Sequence, residues 1–453
     1  MNRFKIYIST LALALSLVPK FVSAQILGIE GENHASIGIY VKDLKADTLV
    51  FASDADRNLV PASILKSYTS ATALQQLGPD FRFKTQVQLV GDSLVGTSVF
   101  NGDIKIQPGG DPTLESAHFK ENLGFTDSIV ARIQRCGITT INGKVIVNDS
   151  ETKGGPVPQW EIDDVAWAYG AGIHQFNFRD NTFTYNPATG KCSPEVPGLE
   201  VKVLPNKSGV DVVRGMWDES LYAFMPSRSK KNTFKSTVPF PAKVFEEELL
   251  DKLRKAGITV NDINSKYAGD ACVTMLYEHQ SVPLSDILKS LMFRSDNMFA
   301  EGCLLALAPG AERSLALDRE KRLWTWKGFD SKYTTVVDGS GLARVNRVSA
   351  RYMGEMLEYM ARSPYGKQYS TFFPRVGKDG TVKRFLADTK LDGRLALKTG
   401  SMRGVHCYAG YALDEDGNPS HVIVMMVNGF YCTRDKLRTA IAKWFLNNIN
   451  IEN

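Results

Sequence analysis

The chain is 453 residues long, which is more than one ordinary domain and predicts two or three. Its formal net charge is +5, and removal of residues 1–24 would take away Arg3, Lys5 and Lys20 and leave +2. A charge so close to zero argues against nucleic acid as the main partner, because a nucleic-acid surface is normally strongly basic.

The first 24 residues are typical of a secretory signal peptide. Arg3 and Lys5 give a basic start, residues 6–18 are apolar, and small residues precede a cleavage site after Ala24. We therefore expect cleavage near Ala24 and an exported protein in the periplasm or another extracytoplasmic space. No later apolar run could span a bilayer, and the polar stretch 447–453 predicts no stable membrane anchor.

In chain order, residues 36–41 and 48–51 alternate apolar and polar side chains and predict an antiparallel pair of strands. A helix is predicted from Pro61 to about Leu77, where glycine and proline stop it. From about residue 83 the pattern changes to short strands with glycine turns, which indicates an inserted domain.

A second insertion is predicted inside the first, because the segment from Asn177 to Pro241 is turn-rich and strand-like. An amphipathic helix follows and ends at Gly257, and a terminal helix is expected from about Asp435 to Leu446. The predicted division is the signal peptide 1–24, a catalytic domain of 25–83 and 268–453, an inserted domain of 84–176 and 242–267, and a nested domain of 177–241.

Six cysteines in an exported chain allow disulfide bonds, and their spacing matches no metal-binding pattern. Cys407 and Cys432 flank a predicted strand hairpin and are the first pair to test. Unpaired, mostly buried thiols are the alternative. The sequence predicts neither a metal nor an organic cofactor.

Ser63 and Lys66 stand one turn apart at the start of the first long helix. Residues three apart share a helix face, and the free N–H groups of a helix N-terminus favour negative charge there. A neutral lysine could take the serine's proton and make a nucleophile for acyl transfer. The same Ser-x-x-Lys pattern begins at Ser150 and Ser227, so the pattern alone does not identify the site.

Two strings far downstream strengthen the case for Ser63. Ser-Asp-Asn at 295–297 separates two apolar helical runs, as a tight turn between helices would. Lys-Thr-Gly at 398–400 precedes a predicted hairpin, and Gly400 has no side chain, so a substrate backbone could approach that strand. The three strings in this order are the signature of penicillin-binding proteins and class A β-lactamases.

The sequence resembles the D-alanyl-D-alanine carboxypeptidase/endopeptidases known as class C low-molecular-mass penicillin-binding proteins. Ser63 and Ser295 lie 232 positions apart, far more than in a β-lactamase, and this family has large insertions there. The resemblance covers nearly the whole mature chain. Further matching strings are Gly109-Gly110-Asp111-Pro112-Thr113-Leu114, Ser295-Asp296-Asn297-Met298-Phe299-Ala300-Glu301, Asp338-Gly339-Ser340-Gly341-Leu342, and Trp160 with Asp163.

One departure from the family pattern lies at 172–175. Relatives usually continue with proline and small residues after Tyr169-Gly170-Ala171, whereas this chain has Gly-Ile-His-Gln. We expect the local conformation there to differ, without an effect on the catalytic assignment.

The resemblance implies an α/β (α+β) fold. Its catalytic domain would be like that of serine β-lactamases and penicillin-binding transpeptidases, an antiparallel sheet flanked by helices, with two nested and mainly β inserted domains. Ser63 would attack the carbonyl between two D-residues of a peptidoglycan stem peptide, and water would hydrolyse the acyl-enzyme. β-Lactam antibiotics would be covalent inhibitors. Lys66 would be the base, because burial and the charge of Lys398 both disfavour its ammonium form.

The family also implies roles for the other motif residues. Ser295 would pass a proton to the leaving nitrogen, and Asn297 would hold the lysine base and the substrate amide. The N–H groups of Ser63 and Ser401 would form the oxyanion hole. Lys398, with hydroxyl groups of its strand, would bind the terminal carboxylate. The expected catalytic residues are Ser63, Lys66, Ser295, Asn297 and Lys398, and the expected carboxylate-binding strand is Thr399, Gly400 and Ser401.

A side-chain pocket for diaminopimelate is also implied, since that residue ends in one ammonium and one carboxylate group. Asp163 would take the ammonium and Arg344 the carboxylate. Trp160, Leu342 and Met402 would line the methylene stem. The alternative is that Asp163 is a loop or helix-end carboxylate and Arg344 a surface charge.

Two alternatives to a peptidase are a β-lactamase and a catalytically weak wall-binding or sensor protein. A β-lactamase needs a second base to activate the deacylating water, and the sequence has no obvious carboxylate loop beside the Ser63 helix. A catalytically weak wall-binding or sensor protein is the non-enzymatic alternative, and the three intact strings argue against it. The sequence does not separate carboxypeptidase from endopeptidase action.

Overall fold

The structure is a computed structural model that describes residues 25–92, 98–149, 154–215, 220–225, 233–264 and 271–451. The predicted signal peptide and the Ser-x-x-Lys copies at Ser150 and Ser227 lie outside the described residues.

The described residues form nine α-helices and nineteen strands. The helices are α1 (Leu65–Leu77), α2 (Phe125–Arg135), α3 (Pro241–Lys255), α4 (Leu284–Arg294), α5 (Asn297–Leu305), α6 (Arg313–Trp326), α7 (Ala350–Arg362), α8 (Gly366–Ser370) and α9 (Arg434–Asn448). The strands are β1 (Ser36–Asp43), β2 (Thr48–Ser53), β3 (Asn58–Leu59), β4 (Lys84–Gly91), β5 (Val99–Gln107), β6 (Thr140–Asn142), β7 (Val145–Val147), β8 (Thr182–Asn186), β9 (Lys191–Ser193), β10 (Glu200–Pro205), β11 (Asp211–Arg214), β12 (Ser220–Met225), β13 (Phe234–Thr237), β14 (Thr259–Val260), β15 (Cys272–Gln280), β16 (Val348–Ser349), β17 (Leu395–Met402), β18 (Val405–Leu413) and β19 (Pro419–Asn428).

Five of these strands form an antiparallel sheet in the order β17-β18-β19-β1-β2, so the two ends of the chain build it together. The pairing of β1 with β2 and of β18 with β19 confirms the two strand pairs predicted from alternation and turn residues. Strand β17 is at the edge of this sheet, and its first half also bridges to Arg375.

Helices cover both faces of this sheet. Along β18, Cys407 and Ala409 belong to a core that includes α1, α4, α5 and α7, whereas Tyr408 and Ala412 belong to a core that includes α9. The two-residue alternation of a strand sends neighbouring side chains to opposite faces, so β18 is buried throughout. This is the predicted antiparallel sheet flanked by helices.

A second, six-stranded sheet has the order β14-β6-β5-β4-β15, with β7 also paired to β5. It shares a core with α2 and α3, in which Phe125 of α2 and Phe245 of α3 lie 5.7 Å apart between ring centroids. Two three-stranded sheets, β10-β12-β11 and β13-β8-β9, lie within residues 182–237.

We propose a division into domains that follows these sheets, with one change from the sequence boundaries. The predicted return to the catalytic domain at 268 precedes β15, yet β15 pairs with β4 over its whole length. That pairing is between segments far apart in sequence, so alternation within β15 could not reveal it. We therefore propose that the return to the catalytic domain follows Gln280.

The unusual segment 172–175 forms a well-bonded corner. Ile173 bridges to Gly155, with N···O distances of 2.8 and 3.2 Å, and a Cβ atom on Gly172 would lie 2.4 Å from the Gly155 carbonyl carbon. His174 exchanges hydrogen bonds with Asn177, and burial lowers the pKa of His174 to about 4. The segment therefore turns by close backbone packing and side-chain bonds.

All six cysteines are free thiols, so the candidate pair Cys407 and Cys432 is not bonded. Cys303, Cys407 and Cys432 are buried, whereas Cys136 and Cys272 are exposed, so the thiols are unpaired but only half of them are buried. No helix in the described ranges is both long and apolar enough to cross a membrane. The described part of the chain also holds no group of three or more metal-ligand side chains.

Candidate active site

Ser63 lies in a 3-10 turn, Ala62–Ile64, that leads directly into α1. Ala62 has a φ of +48°, a left-handed conformation that is uncommon for a residue with a side chain. The Ala62 carbonyl packs against the backbone of Gly341, where an added Cβ atom would lie 2.0 Å from the carbonyl oxygen. Close packing against a glycine therefore helps to hold the strained turn that presents Ser63.

The amine of Lys66 is fully buried next to the Ser63 hydroxyl. Its Nζ lies 3.0 Å from Ser63 Oγ, 2.5 Å from Asn297 Oδ1 and 2.7 Å from the carbonyl oxygen of Ser340. The amide and carbonyl oxygens can only accept hydrogen bonds. A neutral amine has two N–H groups for these two oxygens, which leaves its lone pair for the serine hydroxyl.

Burial lowers the pKa of Lys66 to about 8. Three nearby carboxylates act in the opposite direction and limit the shift: Asp338, Asp296 and Glu301. The lysine therefore titrates close to physiological pH, which is the range in which a side chain works well as a general base.

The Ser-Asp-Asn string forms the predicted turn between two helices. Ser295 ends α4 in a left-handed conformation with a φ of +60°. Asp296 caps α5 by accepting a hydrogen bond from the N–H of Phe299 at 3.1 Å. Asn297 is then the first residue of α5, and its Nδ2 donates to the carbonyl of Tyr169 at 2.7 Å. The amide of Asn297 is thus oriented from both ends.

Lys398 of β17 contacts this turn through Ser295. Its fully buried Nζ donates to Ser295 Oγ at 2.8 Å and to the carbonyl of Thr399 at 2.7 Å. Burial, and then the charge of Lys66, hold the pKa of Lys398 well below its usual value. The three sequence strings therefore meet in one cluster of polar side chains, in which both lysines are fully buried and Ser63 and Ser295 are half-buried.

Gly400 lets β17 pack closely against the backbone of the turn that carries Ser63. An added Cβ atom would lie 2.5 Å from the carbonyl oxygen of Pro61 and 3.1 Å from the amide nitrogen of Ser63. The space that we expected to admit a substrate backbone is occupied by the backbone of the nucleophile turn. A glycine is required because β17 and this turn touch.

The edge of β17 turns a regular set of backbone groups outward. Leu397 N–H donates to Pro374 and the Leu395 carbonyl accepts from Val376, each at 2.9 Å, so these two residues face away from β18. In an antiparallel strand, every second residue points its backbone N–H and C=O groups to the same side. Ser401 is an even number of positions from Leu397, so its N–H also faces the edge. This places a second backbone donor beside the turn that carries the Ser63 N–H.

The hydroxyl groups of Thr399 and Ser401 lie on the other face of β17 from Lys398. Thr399 Oγ1 is 2.9 Å from Thr381 Oγ1, and Ser401 Oγ is 3.5 Å from His406 Nδ1. Because β17 is an edge strand, these hydroxyls can still reach a ligand that lies along the edge.

The glycine-rich loop at 338–341 is fixed by two buried carboxylates. Asp338 accepts bonds from Trp160 Nε1 at 2.9 Å, Ser340 Oγ at 3.2 Å, Gly341 N at 2.9 Å, Ala343 N at 2.7 Å and Asn346 Nδ2 at 2.8 Å. Glu301 of α5 accepts from the N–H groups of Gly339 and Ser340 at 3.0 and 2.8 Å and forms an ion pair with Arg313. These bonds set the position of the Ser340 carbonyl on Lys66.

Several of these residues carried no role in the sequence prediction. Ser340 and Tyr169 contribute through backbone carbonyls, and Asp338 and Glu301 through their support of the loop. All four lie in or beside strings that match the family, which was the only signal for them. Their roles became visible only when the strings met in space.

The predicted side-chain pocket is brought together only in part. Trp160 is buried, and its indole N–H goes to Asp338. Arg344 forms an ion pair with Glu161 at 2.8 Å and donates to the carbonyl of Arg403 at 3.1 Å. Asp163 is exposed, and Leu342 and Met402 are half-buried.

Two bacterial proteins named D-alanyl-D-alanine carboxypeptidases are similar to this chain over most of its length. A D-alanyl-D-alanine carboxypeptidase of Actinomadura sp. (strain R39) is 26% identical over 427 residues, which cover 85% of this chain and 77% of that protein. The D-alanyl-D-alanine carboxypeptidase DacB of Haemophilus influenzae is 24% identical over 437 residues, which cover 88% of this chain and 86% of DacB.

Solved structures show the same fold. The crystal structure of penicillin binding protein 4 (dacB) from Haemophilus influenzae aligns with a TM-score of 0.75 at 23% identity, covering 91% of this chain and 95% of that one. A predatory endopeptidase of Bdellovibrio bacteriovorus aligns with a TM-score of 0.52 at 16% identity, covering 91% and 93%.

The model of the D-Ala-D-Ala carboxypeptidase 3 (S13) family matches residues 24–446, which is nearly the whole chain. The match includes all three signature strings and both segments that build the five-stranded sheet. The chain therefore belongs to the D-Ala-D-Ala carboxypeptidase 3 (S13) family and is a serine-type D-Ala-D-Ala carboxypeptidase.

Proposed function

We propose that the chain cleaves the terminal D-Ala–D-Ala bond of peptidoglycan stem peptides through an acyl-enzyme on Ser63. The observation that carries this proposal is the set of contacts at Lys66 Nζ, with the Ser63 hydroxyl at 3.0 Å and two acceptor oxygens at 2.5 and 2.7 Å. With both N–H groups engaged, the lone pair faces the hydroxyl whose proton must leave. The names of the two curated relatives support this substrate.

In the acylation step, Ser63 Oγ forms a bond to the carbonyl carbon while its proton passes to Lys66. The negative charge that develops on the carbonyl oxygen would be bound by the N–H groups of Ser63 and Ser401. The outward direction of the Ser401 N–H and the contact between Gly400 and the Ser63 turn support this pair of donors. Water then hydrolyses the ester and restores the serine.

The departing amine must gain a proton as its bond to the carbonyl carbon breaks. We assign that transfer to the Ser295 hydroxyl, which can recover a proton from Lys398 at 2.8 Å. Asn297 would use its second N–H for the substrate amide, since its first goes to Tyr169 and its oxygen to Lys66. A D-alanine or the amine of a cross-linked peptide could leave in this way, so endopeptidase action is part of the proposal.

Lys398 would bind the terminal carboxylate of the substrate, with help from the Thr399 and Ser401 hydroxyls at the strand edge. A bound carboxylate favours the charged form of Lys398. That charge in turn disfavours the ammonium form of Lys66, because the two lysines repel each other. Binding of the correct substrate would therefore prepare the base.

β-Lactams, whose ring amide mimics the reacting bond, would acylate the same serine. The Haemophilus influenzae penicillin binding protein 4 has been solved in complex with a β-lactam, which supports this proposal. We also infer that the protein is exported and acts in the periplasm or another extracytoplasmic space, where its substrate is found.

A β-lactamase remains the enzymatic alternative and needs a carboxylate to activate the deacylating water. Asp338 and Glu301 are already engaged by the N–H groups of the glycine-rich loop. Their engagement argues against such a role. Rapid multiple turnover of penicillin would favour the β-lactamase instead.

We further propose that Arg344 and Asp163 bind the charged end of a diaminopimelate side chain at the entrance of the active site. Arg344 lies beside the end of β17, since it donates to the Arg403 carbonyl. Its bond to the exposed Glu161 would be exchanged for the ligand's carboxylate. Asp163 would take the ammonium group.

Replacement of the nucleophile tests the main assignment. Ser63→Ala is expected to lower D-alanine release at least about 10³-fold and to abolish labelling by fluorescent penicillin, because no oxygen remains to form the ester. Ser150→Ala and Ser227→Ala are matched controls, since both serines begin the same Ser-x-x-Lys pattern. They should keep full activity. Penicillin labelling that persists on Ser63→Ala would refute the assignment.

The pH dependence of acylation tests Lys66 as the base. Only its neutral form accepts a proton, so the rate should rise about tenfold per pH unit below about 8 and level off above that pH. The measurement is the second-order rate of labelling by fluorescent penicillin. Lys66→Arg should remove the activity, because a guanidinium does not lose its proton in this range. A rate that is flat from about pH 6 to 9 would contradict a lysine base.

Matched peptides test the side-chain pocket. A stem peptide with diaminopimelate should be cleaved at least about tenfold better than its lysine analogue, which lacks the second carboxylate. Arg344→Ala should erase most of this preference and leave penicillin acylation nearly unchanged. Glu161→Ala is the control, because it frees Arg344 and should keep or increase the preference. Equal cleavage of both peptides by the unaltered enzyme would exclude the pocket.

A further inference from the structure

A line of polar side chains runs from the edge strand β17 to helix α9. Ser401 Oγ is 3.5 Å from His406 Nδ1, and His406 Nε2 is 3.1 Å from the hydroxyl of Tyr408. Arg438 of α9 also acts on the Tyr408 hydroxyl, since it opposes the rise in the Tyr408 pKa that burial causes. Ser401 pairs directly with His406 across the strands, and His406 and Tyr408 are two residues apart, so all three side chains share one face.

The two rings in this line are buried and held in place. His406 and Tyr408 are 4% and 1% exposed. The Tyr408 ring stacks on Phe385 at 4.7 Å and meets the edge of Phe445 of α9 at 5.9 Å between centroids. His406 stands nearly perpendicular to Tyr408, with 5.1 Å between centroids. Packing therefore keeps the two nitrogen atoms of His406 aimed at Ser401 and at Tyr408.

The positive charge of Arg438 favours one direction for the hydrogen bonds in the line. A cation beside a phenol attracts its oxygen and repels its hydrogen, so the O–H of Tyr408 is directed away from Arg438 and towards its other polar neighbour, His406 Nε2. Burial, together with Arg434 and Arg438, lowers the pKa of His406 to about 4, so the ring is neutral at physiological pH. A neutral ring that accepts at Nε2 carries its hydrogen on Nδ1, which then donates to Ser401 Oγ.

We propose that His406 is a positioning residue that turns the hydroxyl hydrogen of Ser401 outward to the terminal carboxylate of the substrate. With its oxygen occupied by the Nδ1–H of His406, Ser401 keeps its own O–H for an acceptor at the strand edge. A carboxylate can only accept, so it fits this direction. Tyr408 and Arg438 act by fixing the tautomer. The proposal rests on the proposed function, in which the edge of β17 binds the carboxylate.

Steady-state kinetics on matched substrates test the proposal. His406→Leu should raise KM about 3- to 10-fold for a peptide that ends in D-Ala-D-Ala with a free carboxylate, and less than about twofold for the same peptide as a terminal amide. The value of kcat should change little in both cases. His406→Asn should recover most of the loss, because its amide N–H can occupy the place of Nδ1–H. Equal losses on the two substrates, or no recovery with asparagine, would overturn the proposal.

A spectroscopic measurement tests the tautomer without any substrate. ¹⁵N NMR of histidine-labelled protein should find the His406 hydrogen on Nδ1, with the signal assigned by its loss in His406→Asn. In Tyr408→Phe the preference for this tautomer should weaken, because the donor to Nε2 is gone. A hydrogen on Nε2 of His406 in the unaltered protein would refute the proposal that His406 donates to Ser401. If the unaltered enzyme released no D-alanine, the proposed function would fail, whereas selective failure of the His406 variants would reject only this inference.

Discussion

The active site depends on the complete burial of one amine, that of Lys66. Removing a lysine from water disfavours its charged form, and the structure compensates with three oxygen partners at 2.5 to 3.0 Å instead of a directly paired carboxylate. Those partners come from the nucleophile turn, from α5 and from the glycine-rich loop. The lysine can act as a base only if segments far apart in sequence are held together, so the fold and the chemistry impose the same requirement.

Two buried carboxylates, away from the reacting atoms, help to hold these segments together. Asp338 and Glu301 are both fully buried, and backbone N–H groups of one short loop satisfy most of their oxygens. A buried charge is costly unless it is bonded in this way, so loss of any part of the loop would leave the carboxylates unsatisfied. The glycine at 341 lets the loop approach the Ala62 carbonyl and so connects this network to the nucleophile turn.

Local patterns in the sequence predicted the parts of the structure that depend on side-chain identity. The strings around Ser63, Ser295 and Lys398, the two strand pairs and the turn between α4 and α5 were all readable, because each uses particular residues at fixed spacing. The roles of the Ser340 and Tyr169 carbonyls were not readable, since every residue has a carbonyl and only the fold aims it. The pairing of β15 with β4 joins segments on either side of a long insertion, and the purpose of Gly400 depends on a turn hundreds of positions away. The ion pair of Arg344 with Glu161, where Asp163 was expected to share the pocket, reflects a loop conformation that composition does not encode.

The peptidase activity is tested most directly by a digest of purified peptidoglycan with the purified protein, with the released fragments identified by mass spectrometry. We expect stem peptides ending in D-Ala-D-Ala to lose one D-alanine and cross-linked fragments to be opened if the amine of a second stem can leave. Pretreatment with penicillin should stop both changes. Peptidoglycan fragments that remain unchanged while the same preparation hydrolyses penicillin rapidly would contradict the peptidase activity.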